Sequence, residues 1–404
     1  MAVNLPSLPP LKAIAGIQVG TTCAQIKPQD DLTLFELPSQ SHCAAVFTRN
    51  RFCAAPVIIA KQHLAAATPR FLLINAGNAN AGTGENGFVD ALSCCEAVAQ
   101  QTGCAINEVL PFSTGVIGAR LPVDKISAAI PQAIAALKPD GWEKAAQAIM
   151  TTDTAPKGES IQTVIEGHPI TVTGIVKGAG MIKPDMATML AFIATDAAIE
   201  NRVLQTCLTQ AMENSFHRIT IDGDTSTNDA CVLVATGAAH NPLIDSPSHP
   251  GYNGLVTAVS QVCRQLAQNI VRDAEGATKF ITISVEQGAS QQECLEVAFT
   301  IAHSPLVKTA FFASDANWGR ILAAVGRAKV DNLDIHPIQI YLGGVCIVEN
   351  GGIAAHYTEE QGEQVMRETD IPIRVVLGRG DYQETVFTSD LSFDYIRINA
   401  EYRT

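Results

Sequence analysis

Apolar residues recur along this chain in two rhythms, and each rhythm predicts elements. Short apolar runs between polar or glycine-rich segments predict strands at residues 44–48 and 71–75. Residues 170–176 alternate in strand fashion, and residues 190–194 form a fully apolar strand. Further strands are expected at 279–286, 338–341, 373–377, 383–387 and 395–400. Helical spacing predicts helices at 89–101, 142–150 and 254–273. Another covers 124–137, with Ile126, Ile130, Ile134 and Leu137 on one face and Pro131 as the point of a kink or break. The strongest amphipathic helix is 201–216, where Val203, Leu204, Cys207, Leu208, Ala211 and Met212 share a side. Helices and strands mix without strict alternation. The expected class is therefore α+β, with layered sheets and helices and a strand-rich C-terminal part. No internal repeat, low-complexity tract or flexible linker interrupts the pattern.

Composition narrows this picture. With 404 residues, 47% hydrophobic and 17% charged, the chain can bury a large core. A net charge of −13 with no Lys/Arg cluster argues against nucleic acid and anionic membrane as partners. The eleven cysteines are odd in number, scattered and without C-x-x-C, which suits buried apolar residues in a reducing compartment. No basic-then-apolar leader and no run of 18 apolar residues is read, so a cytoplasmic protein is expected.

Candidate chemistry concentrates between the strands 170–176 and 190–194. Lys177-Gly-Ala-Gly-Met-Ile-Lys-Pro-Asp-Met-Ala-Thr188 is rich in loop formers yet anchored at both ends by apolar strands. A threonine hydroxyl is a weak nucleophile that needs a base. If Thr188 became a chain N-terminus, its own α-amine, with a pKa of about 7.7–8.0, would serve. A hydroxyl held against the preceding carbonyl could attack it at high effective concentration. A glycine-rich turn joining two core strands accounts for the same residues. Ser113-Thr114-Gly115 offers a hydroxyl and a backbone N–H for an oxyanion, and is equally the composition of a turn.

The stretch 174–197, containing Met186-Ala-Thr-Met-Leu190, resembles the signature of the ornithine acetyltransferase family, the glutamate N-acetyltransferases/amino-acid acetyltransferases of arginine biosynthesis. The resemblance spans the chain. It includes Ile74-Asn-Ala-Gly-Asn-Ala-Asn80, Ser113-Thr-Gly-Val-Ile-Gly118, Thr151-Thr-Asp-Thr154, Asp222-Gly-Asp-Thr-Ser-Thr-Asn-Asp229, Ser314-Asp-Ala-Asn-Trp-Gly-Arg320 and Asn399-Ala-Glu-Tyr-Arg-Thr404. It implies self-cleavage between Ala187 and Thr188, giving an α chain (1–187) and a β chain (188–404) that form one intertwined catalytic unit. It implies Thr188 as nucleophile and Thr114 and Gly115 as the oxyanion hole. Thr151, Lys177, Thr188, Glu275, Asn399 and Thr404 match the substrate-binding positions. The substrates implied are N2-acetylornithine and glutamate, with no metal or cofactor, acetyl-CoA as a second donor if the enzyme is bifunctional, and an α2β2 assembly. Lys177 is the expected partner of a substrate carboxylate and Glu275 of the ornithine side-chain ammonium.

Other signals point less far. Gly82-Thr-Gly-Glu-Asn-Gly87 satisfies G-x-G-x-x-G but lies beyond the strand end where a dinucleotide turn begins. Gln100-Gln-Thr-Gly-Cys-Ala105 resembles an acetyl-CoA pyrophosphate loop, but sits at a helix C-terminus and reads as a cap at Gly103. The 222–229 stretch opens like a calcium loop, yet Thr227 and Leu233 hold the places of its glycine and glutamate, so a structural turn or a loop lining the active site fits better. The nine histidines form no zinc motif. An N-terminal-nucleophile aminopeptidase or amidase using Thr188, and a scaffold that never cleaves, are the alternative readings.

Overall fold

A computed structural model describes residues 2–183 and 189–402. Its first layer is a four-stranded sheet in the order Gln18–Thr22, Leu32–Glu36, Phe71–Asn78, Val109–Val116. A five-stranded sheet lies against it, in the order His42–Phe47, Ala230–Ala235, Leu190–Thr195, His168–Lys177, Lys157–Ile165. Period-two alternation explains the stacking. Leu190, Phe192 and Ala194 face the first sheet, meeting Phe35, Leu72, Ile74 and Phe112. Ala191 and Ile193 face the other way, into Leu204, Leu208, Val259, Val262 and Leu266 of the helices Asn201–Glu213 and Tyr252–Arg272. That strand is apolar throughout because both its faces are covered. On the outer face of the first sheet, Leu32, Leu34 and Leu73 pack on Cys94, Cys95 and Val98 of Gly84–Thr102 and on Ile126 and Ile130 of Val123–Ala135. The result is helix, sheet, sheet, helix.

Aromatic rings lock the inner seam. Phe192 stacks on Phe35 at 5.7 Å and meets Phe112 edge-on at 5.2 Å, while Trp142 meets Phe35 edge-on at 5.3 Å. Such pairs fix geometry beyond the area they bury.

A six-stranded mixed sheet follows, in the order Gly352–Ile353, Val345–Glu349, Gln339–Leu342, Asp370–Val376, Phe280–Gly288, Tyr382–Ser389. It has its own core with the helices Gln291–Ala302 and Trp318–Gly326. Phe280 and Phe387 join it to the helical side of the sandwich.

The α+β expectation stands, and most expected elements fall within a few residues of their observed bounds. Gly103 caps its helix in the left-handed conformation, φ 75°. Pro131 lies on the exposed side of Val123–Ala135, a helix that runs past it unbroken. One element is corrected. Residues 395–400 read as a strand but belong to the helix Phe393–Ala400. Alternating side chains misled there, while capping decides: the Ser392 hydroxyl accepts from the Tyr395 N–H at 3.3 Å. An Asp394–Arg397 ion pair at 3.0 Å then spans one turn. Among the described residues, no helix is long and apolar enough to cross a membrane.

Candidate active site

The described members of the expected site converge on one cavity of about 260 Å³. Thr114, Gly115, Thr151, Lys177, Glu275 and Asn399 all line it. They come from both stacked sheets, the turn before Lys157–Ile165, the loop after Tyr252–Arg272 and the C-terminal helix. Ala187, Thr188 and Thr404 lie outside the described residues. Ile182 and Met189, described positions on either side of the first two, line the cavity, and so does Tyr402 near the C-terminus.

Lys177 ends the strand His168–Lys177, and its buried ammonium donates to the Thr114 hydroxyl oxygen at 3.3 Å. A hydroxyl that accepts from lysine keeps its own proton to donate elsewhere. Burial lowers the Lys177 pKa, against the opposing pull of Asp153, Asp229 and Glu275. Gly115, beside Thr114, has φ 132°, and a Cβ there would lie 2.2 Å from the Gly77 carbonyl carbon. Only glycine permits this approach, where the strands Phe71–Asn78 and Val109–Val116 slip register at Gly77 and Asn78.

Glu275 faces the cavity from the opposite wall. Its Oε2 accepts from the Asn399 amide at 2.7 Å, which ties the C-terminal helix to the site. Gly180 makes room for it, since a Cβ there would fall 2.5 Å from the Glu275 carboxylate. The helix is held further by Tyr395, whose hydroxyl donates to Asp222 at 3.1 Å. Asp222 in turn accepts the Met181 and Ile182 N–H groups at 2.6 and 2.9 Å. The stretch opening like a calcium loop is thus a buttress of the segment before the proposed junction.

Sequence reasoning missed two aspartates. Asp153 accepts from Lys157 Nζ at 2.6 Å, the Gly178 N–H at 2.7 Å and the Thr151 N–H at 2.9 Å. Burial pushes its pKa up, but Lys157, Lys177 and those donors outweigh it and hold the carboxyl well below the usual range. Lys157 also pairs with Asp273 at 2.6 Å, and Asp273 accepts from the Thr154 N–H at 3.0 Å and from its hydroxyl. The signal was present in Thr151-Thr-Asp-Thr154, where an aspartate precedes a lysine by four residues, but nothing in the pattern shows which way they turn. The second is Asp229, buried in the cavity wall. Its neighbour Asn228 donates to the Ala79 and Ser113 carbonyls at 2.6 and 3.0 Å, bracing the end of the strand that carries Thr114.

A model of the ArgJ family matches residues 18–404. The arginine biosynthesis bifunctional protein ArgJ of Pseudomonas syringae pv. tomato is 55% identical over 406 residues, covering 100% of both chains. Its counterpart from Methylococcus capsulatus is 58% identical over 393 residues, 97% of this chain and 96% of the relative. Among solved structures, the arginine biosynthesis bifunctional protein ArgJ of Bacillus halodurans is similar at 40% identity with a TM-score of 0.51. The match covers 53% of this chain and 100% of that one.

Proposed function

The chain belongs to the ArgJ family, and on that premise we propose that it moves an acetyl group from N2-acetylornithine to glutamate through an acetyl-Thr188 intermediate, after cutting itself between Ala187 and Thr188. It is an acyltransferase of arginine biosynthesis. The observation that carries the mechanism is the convergence of Thr114, Gly115, Lys177, Glu275 and Asn399 on the cavity that Ile182 and Met189 also line.

Each residue has a task. Thr188 Oγ attacks the acetyl carbonyl, and its freed amine takes the hydroxyl proton. The Thr114 hydroxyl and the Gly115 N–H stabilise the oxygen that becomes negative, a contribution of about 10²–10³ in rate per donor. Lys177 binds a substrate carboxylate and supports Thr114. Glu275, positioned by Asn399, pairs with the ornithine side-chain ammonium, and Thr151 and Thr404 complete the binding set. Ornithine leaves, and glutamate takes the acetyl group in the second half of a ping-pong cycle. Acetyl-CoA serves as a second donor, in keeping with the word bifunctional in the relatives' names.

A cut after residue 187 leaves 187 and 217 residues, the larger about half the chain. The fully covered Bacillus halodurans chain also matches about half. The two chains remain one catalytic unit in an α2β2 particle in the cytoplasm. A denaturing gel of matured protein should show bands of ~20 and ~23 kDa, sharing 42.8 kDa by residue count. Thr188→Ala should leave one full-length band and no acetyl transfer, and Thr188→Ser should retain part of both. An uncut Thr188→Ala chain that still transfers acetyl at wild-type rate would defeat the mechanism.

A further inference from the structure

The chemistry proposed above leaves a proton without an owner. An acceptor amino acid arrives as an ammonium and must lose a proton before its nitrogen can attack. The departing amine must gain one. Asp153, which bonds the lining residues Thr151 and Gly178 from behind the cavity wall, is saturated by three donors, and Glu275 in the wall is bonded to Asn399. Asp229 differs. It is 3% exposed and lines the cavity, and its Oδ2 has no hydrogen-bond partner among the described residues. An unpaired buried polar atom costs stability and calls for an explanation.

Its place in the sheet is fixed. Leu190 and Ala230 are partners on parallel strands, and the Ala230 N–H donates to the Met189 carbonyl at 3.0 Å. Asp229 precedes Ala230, and its own carbonyl accepts the Thr48 N–H at 3.0 Å. The carboxyl therefore stands beside the start of the strand that follows the proposed nucleophile. Lys177 faces it from His168–Lys177, Cys53 from the segment before Ala55–Ala66, and Ser226 from its own turn. Glu275 faces Lys177 from the far wall.

We propose that Asp229 is the proton-holding residue of acetyl transfer, giving a proton to the departing amine and taking one from the incoming ammonium. The proposal rests on the acetyl-enzyme reading above, and its cycle balances. The donor's C–N bond breaks and a C–O bond to the nucleophile forms, while the hydroxyl proton leaves with the amine as R–NH2. That amine takes the Asp229 proton and departs as R–NH3+, leaving a carboxylate. The acceptor ammonium returns one proton to Asp229, and its freed electron pair attacks the ester carbonyl. The new C–N bond forms, the C–O bond breaks, and the second proton goes back to the hydroxyl. Asp229 ends protonated, as it began. Burial, the largest influence on it, pushes its pKa well above the ordinary carboxylate value, which favours the protonated form.

The test is Asp229→Asn, which keeps shape and loses the proton. The matured variant, loaded with acetyl from N-acetylornithine, is offered glutamate or hydroxylamine, an acceptor already neutral at neutral pH. Transfer to glutamate should fall by about 100-fold, the usual worth of general acid–base help, while transfer to hydroxylamine stays near wild type. Equal losses with both acceptors, or no loss with glutamate, would overturn the assignment. The wild-type enzyme provides a second measurement that does not depend on the variant folding or processing. Its single-turnover transfer to glutamate should stay level between about pH 7 and 9; a fall of about tenfold per unit on acidification would mean that solvent takes the proton. A wild-type chain that acquires no acetyl group overturns the acetyl-enzyme reading and this inference together, whereas an indifferent D229N overturns this inference alone.

Discussion

Two buried lysines stand close to the same aspartate and differ in everything else. Lys157 lies between Asp153 and Asp273, both at 2.6 Å, with all three side chains essentially sealed from water. Burial lowers its pKa, but the two carboxylates outweigh that and raise it. Lys177 has a neutral hydroxyl at 3.3 Å, and there burial prevails and lowers the pKa. Its neighbour Asp229 is likewise pushed toward neutrality, with one oxygen unpaired among the described residues. A buried charge therefore does not by itself mark an active site. A saturated ion cluster holds backbone in place, whereas a cluster left short of partners, open to a cavity, is where a substrate completes the set.

The sharpest way to break this contrast is to remove each lysine. Lys157→Met should destabilise the protein by about 3–5 kcal/mol, because two aspartates then lose their shared cation. Its signature is a large fall in melting temperature. The second largest effect belongs to Lys177→Met, which should cost about 100-fold in kcat/KM yet leave stability within about 1 kcal/mol. If the variants exchanged these phenotypes, the division into a structural and a chemical cluster would be wrong.

The sequence carried the site further than it carried the support. Thr114, Gly115, Lys177 and Glu275 were legible through the resemblance to the ornithine acetyltransferase family, whereas by local pattern alone Ser113-Thr-Gly115 reads as a turn and the two charges as surface residues. The two-faced burial of Leu190–Thr195 was also legible, in its unbroken apolar run. Asp153 and Asp229 were not. Both sit in Thr/Asp-rich turns, where an aspartate capping backbone amides and one facing a cavity have the same local pattern. The direction of a turn depends on what packs beneath it, here a lysine four residues on and a parallel strand forty residues earlier. Phe393–Ala400 failed for a related reason. A helix with no buried side chain leaves no 3.6-residue apolar stripe to read, and its hold on the site is through Tyr395 and Asn399.

The aspartates sharpen the comparison through pH. Asp153 has a depressed folded pKa, so its stabilisation is present above the unfolded value of 3.8 and is lost as pH falls below it. Asp229 has a raised folded pKa, so stability is lost as pH climbs from 3.8 toward the folded value. The deficit of Asp153→Asn against wild type should therefore shrink as the pH is lowered through 3.8. Relative to wild type, Asp229→Asn should instead gain stability as pH rises from that value toward neutral. Denaturant titrations over that pH range should show the two differences from wild type moving in opposite directions. Parallel trends would remove the distinction between the pair.

The smallest effect is expected at Asn399, where the site meets the exposed helix. Its amide donates to Glu275 at 2.7 Å and to the Tyr395 carbonyl at 3.0 Å. Asn399→Ala removes one neutral donor from a carboxylate that is otherwise placed by its own backbone bond to Ala179 at 2.9 Å. Glu275 should stay in the cavity but lose its fixed orientation. A hydrogen bond of this kind is worth about 0.5–1.5 kcal/mol, which converts to about 2- to 10-fold in binding. The KM for N-acetylornithine should rise by that factor while kcat is kept, because in the proposed role Glu275 would hold the ammonium equally in the ground and transition states. A fall in kcat with unchanged KM would instead place Asn399 with the chemical cluster around Lys177, and would move the boundary between support and chemistry onto the C-terminal helix.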